Sequence, residues 1–221
     1  MSALQAVLFD MDGLLVDTEH TWFVAERTVM RGLGADWDEQ DQAHTVGGPM
    51  ERAARYMAEK AGTELPWQVV GERLIDAMAD LLVHGADHRP GAEALLDDLV
   101  AAGVPCALVS SSPRRLVDSV LASVGGDHFT ATIAGDEVPR TKPHPDPYLQ
   151  AARQLGVEPG RCVVLEDSPV GIAAAEAAGC VVVAVPFVVP IEPGPRRHVV
   201  GSLTELDAAR LRALVAPDPP A

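Results

Sequence analysis

An α/β protein, with a doubly wound parallel sheet and a helical insert after the first strand, is what the sequence predicts. Three observations carry the prediction. Short apolar runs recur at residues 6–9, 104–109, 161–165 and 181–185, and most end in polar or acidic residues. Stretches of helical periodicity separate the later runs. One long segment between the first run and the second has helical spacing and no strong strand. Runs that are apolar throughout fit strands buried on both faces, as in a parallel sheet covered by helices. Alternation of strand and helix implies right-handed crossovers and a doubly wound sheet.

The elements follow in order. Ala6-Val7-Leu8-Phe9 reads as a short buried strand delivering Asp10-Met11-Asp12-Gly13 to its C-terminal end. Open α/β sheets bind ligands at that end. Residues 21–31, 49–61 and 66–83 show apolar positions at helical spacing with charged neighbours. The core is expected over residues 1–16 and 90–221, and the helical cap over 17–89. A helical insert at the mouth of such a site would act as a lid, excluding water and choosing substrates. Beyond it, helices are expected over residues 91–102, 113–124, 146–155 and 170–178, with a further short strand at 132–135. The helix at 146 follows Pro143-His144-Pro145, and Gly156 stops it. Residues 203–215 read as one last surface helix, and the proline-rich residues 216–221 as a frayed end.

Composition narrows the function. The chain has 221 residues, 48% of them hydrophobic, which suffices for one substantial core and a small second unit. Lys and Arg number 17 against 32 Asp and Glu, a formal charge of −15. Such a field repels nucleic acid and anionic membrane. It leaves room for a small phosphorylated metabolite, because a local Lys and a metal dominate at a site. Cys106, Cys162 and Cys180 are widely spaced with no CxxC pair, so three reduced buried thiols are expected. No secretory-type opening and no apolar run of membrane-spanning length is visible, and a cytoplasmic enzyme is expected. A monomer or weak homodimer is the expected state.

The chemistry sits at the strand ends. Asp10 is the candidate nucleophile, forming an aspartyl phosphate. Asp12, two residues on, would protonate the leaving oxygen and then activate water. Gly13 keeps the turn open for close approach. Ser110 ends the second strand, and its hydroxyl, with Ser111 and the following N–H groups, would hold phosphate oxygens. Lys142 precedes Pro143, which keeps it out of helical geometry; it would neutralise Asp10 and the transferring phosphoryl group. Glu166 and Asp167 end the third strand. Asp10, Asp167 and the backbone carbonyl of Asp12 would hold a divalent cation through hard oxygens, with Glu166 as a further acid or a partner of Lys142.

Together, Asp10-Met11-Asp12-Gly13, Ser110, Lys142 and Glu166-Asp167 resemble the four motifs of the haloacid dehalogenase superfamily over nearly the full length. Asp10 to Glu19 is similar to that family's opening, and Glu166-Asp167-Ser168-Pro169-Val170-Gly171-Ile172 to the fourth motif of its beta-phosphoglucomutase-like branch. The resemblance implies a Rossmann-like parallel sheet core, a small helical cap domain inserted after the first strand, and Mg²⁺. It also implies phosphate chemistry, because dehalogenases proper lack the second Asp. A phosphosugar mutase of the branch is the alternative enzyme. Ser112 is followed here by Pro113-Arg114, where the mutase has a nearby Lys, and residues 74–83 lack the cap Lys that the mutase supplies. Hydrolysis of a small organic phosphate, a sugar phosphate above all, is therefore the expected activity; a non-catalytic metabolite-binding protein is the other alternative. Glu19, His20, Gly47 and Arg52 are the cap-side candidates for touching substrate. Trp22, Trp37 and Trp67 are expected to pack.

Overall fold

The structure, a computed structural model, describes residues 4–45 and 49–215. Its sheet has six parallel strands: β1 (Ala6–Phe9), β2 (Cys106–Val109), β3 (Ala131–Ile133), β4 (Cys162–Glu166), β5 (Val181–Ala184) and β6 (Arg197–Val199). Their order is β3-β2-β1-β4-β5-β6. The chain builds outward from β1 on one side and then jumps to its other flank at β4. The point where strand order reverses therefore falls at the end of β1, where such sheets open a crevice.

Alternation along β1 divides the core. Val7 and Phe9 belong to one buried cluster, and Ala6 and Leu8 to a second on the opposite face. Each face is covered by helices: α5 (Ala92–Ala101), α6 (Arg114–Val124), α7 (Asp146–Leu155), α8 (Pro169–Ala177) and α9 (Ala208–Leu214). Register fixes the site. Phe9 lies opposite Leu108 of β2 and Leu165 of β4. Asp10, Ser110 and Glu166 consequently emerge at one edge of the sheet.

Four helices lie between β1 and α5: α1 (Glu19–Gly32), α2 (Glu39–Thr45), α3 (Met50–Ala61) and α4 (Trp67–Leu82). α4 packs on both α1 and α3, burying Val70, Leu74 and Met78. Two antiparallel crossings join this helical unit to the sheet. Asp17 N–H donates to Asp87 O at 3.0 Å, and Arg89 N–H to Leu15 O at 2.9 Å. The unit also rests on α6, where Arg115 pairs with Asp76 of α4.

Three elements differ from the sequence expectation. α2 has no apolar periodicity to announce it; buried polar groups hold it instead. Asp41 accepts from Asp38 N–H at 2.9 Å and Tyr56 O–H at 2.8 Å, and pairs with Lys60. The edge strand β6 carries Arg197 and His198, so it lacks the apolar run of a central strand. The final segment is two pieces rather than one helix. A 3-10 turn spans Leu203–Glu205, and α9 then begins afresh from Asp207, whose side chain accepts from Arg210 N–H.

Trp37 packs as expected, edge-on to Tyr56 at 5.6 Å between ring centres, but its indole N–H also donates to Glu26 at 2.9 Å. Thr45 O–H donates to the other Glu26 oxygen at 3.1 Å. Burial outweighs these bonds and pushes the Glu26 carboxyl up to about 7. A carboxyl raised in the fold contributes stability that is full below its unfolded value and is lost as pH rises through the folded one. Glu26→Gln should therefore flatten the loss of stability between pH 5 and 8, an effect of up to about 3 kcal/mol. The amide fits, because its oxygen accepts from Trp37 while Thr45 turns its O–H wholly to Gln42 O, 2.9 Å away. Urea unfolding of both proteins across that pH range is the check; parallel curves would refute it.

Candidate active site

β1 ends in a tight turn. Gly13 has φ +82°, and a Cβ there would come within 2.3 Å of Asp167 Oδ2. Only glycine lets the first strand's turn and the Asp167 carboxylate approach this closely. Asp10 is 8% exposed at the strand end. Lys142 Nζ donates to Asp10 Oδ1, to Val109 O at 2.9 Å and to Glu166 Oε1 at 2.8 Å. All three ammonium protons are thus placed.

Glu166 is fully buried and fully engaged. Its Oε1 also accepts from Tyr148 O–H at 2.8 Å, and Oε2 accepts from the N–H groups of Asp167 and Ser168 at 3.1 Å each and from Ser168 O–H at 3.0 Å. A Cβ at residue 171 would fall 1.5 Å from Oε1, so glycine there lets the first turn of α8 close over the carboxylate. Glu166 is thereby a structural partner of Lys142. It still belongs with Asp10 and Asp167 to a trio of carboxylates whose nearest oxygens lie within 4.8 Å of one another.

The electrostatics follow from crowding. Burial raises the Asp10 carboxyl to about 7 against the pull of Lys142, with Glu166 adding to the rise. Burial, then the charges of Asp10 and Glu166, hold Asp167 well above the usual carboxylate range. Burial works against the Lys142 charge, but Asp10 and Glu166 outweigh it and hold the ammonium above its ordinary value. One ammonium faces three acids, so the cluster carries a surplus of negative charge that hard cations match.

Asp12 lies apart from that trio and is half-buried. Its Oδ1 accepts from Thr18 O–H at 2.7 Å and from the Trp22 indole N–H at 3.4 Å, and its Oδ2 accepts from Ser112 O–H at 2.9 Å. Ser110 is buried, and its Oγ accepts from Ser112 N–H at 2.9 Å, which leaves its own O–H free to donate. Ser111 is exposed beside it, and its carbonyl packs against Gly135.

Of the helical-unit candidates, Glu19 faces the acids. Burial, then the charges of Asp12 and Asp17, raise its carboxyl to about 7, and it acts in turn on Asp167. His20 is exposed at the start of α1. Arg52 is exposed and donates to Thr45 O at 3.4 Å. Gly47 lies outside the described residues. Thr18 and Trp22 touch Asp12, and Tyr148 touches Glu166, none of the three having been expected at the site. Thr18 lies within the Asp10 to Glu19 motif, Trp22 is expected only to pack, and Tyr148 falls inside the helix expected over residues 146–155. Arg114 is committed elsewhere, donating to Glu137, Asp118 and Thr132.

The sequence matches the family described as haloacid dehalogenase-like hydrolase over residues 4–179. It is 36% identical to a probable pseudouridine-5′-phosphatase of Drosophila melanogaster, covering 81% of this chain and 80% of that protein. It is 34% identical to hexitol phosphatase B of Escherichia coli, covering 93% and 96%. Among solved structures it is similar to CbbY from Rhodobacter sphaeroides in complex with xylulose-(1,5)bisphosphate, with a TM-score of 0.84, 30% identity, and 94% and 99% of the two chains covered.

Proposed function

We propose that this chain, which belongs to the haloacid dehalogenase-like hydrolase family, is a Mg²⁺-dependent phosphatase of sugar or polyol monophosphates. The observation that carries the reading is the Asp10 carboxylate at the end of β1, clamped by Lys142 and followed two residues later by Asp12. The Asp10 carboxylate attacks phosphorus while the bond from phosphorus to the leaving oxygen breaks. Asp12 gives that oxygen its proton, and the alcohol departs. Asp12 then takes a proton from water, which attacks the aspartyl phosphate and frees phosphate and Asp10. Lys142 and the Ser110 hydroxyl meet the phosphoryl oxygens and steady their charge.

The donor set fits the metal. Asp10, Asp167 and the backbone carbonyl of Asp12 would hold it with oxygen alone, as Mg²⁺ requires. Bound there, it supplies positive charge against the transferring phosphoryl group. The helical unit of residues 17–89 serves as the cap over this edge. Glu19 gives it an acceptor for substrate hydroxyls, and the −15 net charge disfavours larger polyanions. The commitment of Arg114 to Glu137 supports hydrolysis over phosphoryl return to a sugar.

Phosphate release tests this across hexitol phosphates, ketose and aldose phosphates, nucleoside 5′-phosphates and short phosphorylated acids, with Mg²⁺ or with a chelator. Release should favour the polyol and sugar esters and fall by about two orders of magnitude or more on chelation. Isomerised phosphosugar without matching phosphate would establish the mutase instead. Release indifferent to the chelator would remove the metal from the reading.

A further inference from the structure

Resting on the reading of Asp10 and Asp167 as acids that hold Mg²⁺, we propose that Phe187 is a positioning residue for that site. Its ring keeps the Arg89 guanidinium off Asp167 and so leaves the carboxylates to the metal. The apolar run at 181–185 ends in Pro186-Phe187 rather than in an acid or a hydroxyl. Val185 N–H donates to Glu166 O at 2.8 Å, which sets the chain leaving β5 beside the end of β4 that carries Asp167. Phe187 follows, half-buried, with its Cδ1 3.4 Å from the place that a Cβ on residue 13 would take. That same place lies 2.3 Å from Asp167 Oδ2. The ring therefore packs where the turn after β1 and the Asp167 carboxylate meet. Arg89 lies over the ring, its guanidinium carbon 3.8 Å from the ring centre. The backbone brings it there, since Arg89 N–H donates to Leu15 O at 2.9 Å within the same turn that Gly13 N–H closes on Val16 O.

Charge makes this placement matter. Asp10, Glu166 and Asp167 face the single Lys142 ammonium, so a guanidinium close by is drawn to them as a divalent cation is. The other partner of Arg89 is a weak rival. Its pair with Asp17 spans 3.6 Å, and the Asp17 side chain is 46% exposed, so water screens the attraction. The Phe187 ring attracts the guanidinium through its π face and occupies the space beside Gly13. Without the ring, the guanidinium would turn to Asp167 and form a charge-assisted hydrogen bond. A metal would then have to displace it before taking that oxygen. Arg89 thus competes for the site only when Phe187 is gone.

Calorimetric titration of Mg²⁺ into the metal-free protein tests this. Its Kd reads the site apart from turnover, and its stoichiometry shows how much of each variant is folded. Phe187→Ala should raise the Kd for Mg²⁺ by about tenfold. Phe187→Leu keeps apolar bulk without the π face and should raise it by a smaller factor. Arg89→Gln alone should leave the Kd within about twofold of wild type, and adding it to either Phe187 variant should bring the Kd back to that range. Asp167→Asn marks the site and should lose binding. Double variants as weak as the Phe187 single variants would overturn the proposal and reduce the ring to packing on the turn. So would a wild-type Kd in Phe187→Ala. With either result, lost binding in Asp167→Asn would leave the metal reading intact. Wild-type affinity in Asp167→Asn would overturn both.

Discussion

Replacing Asp10 by Asn should leave the protein folded and lower kcat by about four orders of magnitude or more. The amide is nearly isosteric, and its oxygen still accepts from Lys142, so the strand end keeps its geometry. What it loses is the nucleophile: an amide oxygen cannot form the phosphoryl ester that the first displacement requires. The substitution also removes one of three crowded carboxylates, whose burial and mutual repulsion already push Asp10 up to about 7. Thermal stability should consequently hold or rise slightly in the absence of metal. Phosphate release and a thermal unfolding curve on the same preparation check both halves. Wild-type protein quenched in acid during turnover should carry one phosphoryl group that the Asn variant lacks. An Asn variant with near wild-type turnover would sink covalent catalysis.

The parts of this molecule legible in its sequence are those where one residue's job fixes its neighbours. Four apolar runs sit on buried strands β1, β2, β4 and β5, because a strand covered on both faces tolerates little else. Asp10, Ser110 and Glu166 could be placed together because parallel strands all point their C-terminal ends at one edge. Elements held by polar partners were harder to read. α2 depends on Glu26 and Asp41 accepting bonds from Trp37, Thr45 and Tyr56, partners as far as 19 residues away in sequence. β6 is an edge strand whose Arg197 and His198 give no apolar signal. Tyr148 and Trp22 illustrate the same limit at the site. Each carries one polar atom on a large apolar body, and only the fold shows the tyrosine O–H aimed at Glu166 and the indole N–H at Asp12.

Lys142→Met should be the most damaging single substitution for stability at this site, and its penalty should depend on pH. The ammonium is 4% exposed and bonds Asp10, Glu166 and Val109 O at once. Truncating one partner of a buried ion pair leaves uncompensated charge and costs about 3–5 kcal/mol. Methionine matches the stem in length, so most of that loss is electrostatic rather than a cavity. The sign of the pH effect follows from Asp10. Its carboxyl is raised to about 7 even with Lys142 pulling the other way, and without the ammonium it rises further. Such a group contributes its full stability below the unfolded value near 3.8, and the contribution drains away as pH rises through the folded one. The gap in unfolding free energy between Lys142→Met and wild type should therefore be small near pH 5 and widen toward pH 8. Turnover should stay low throughout, because the charge that meets the phosphoryl oxygens is gone at every pH. Denaturant unfolding in metal-free buffer at several pH values measures the gap directly. A gap of constant size would mean that Lys142 contributes packing, and that the acids at the end of β1 do not rely on its charge.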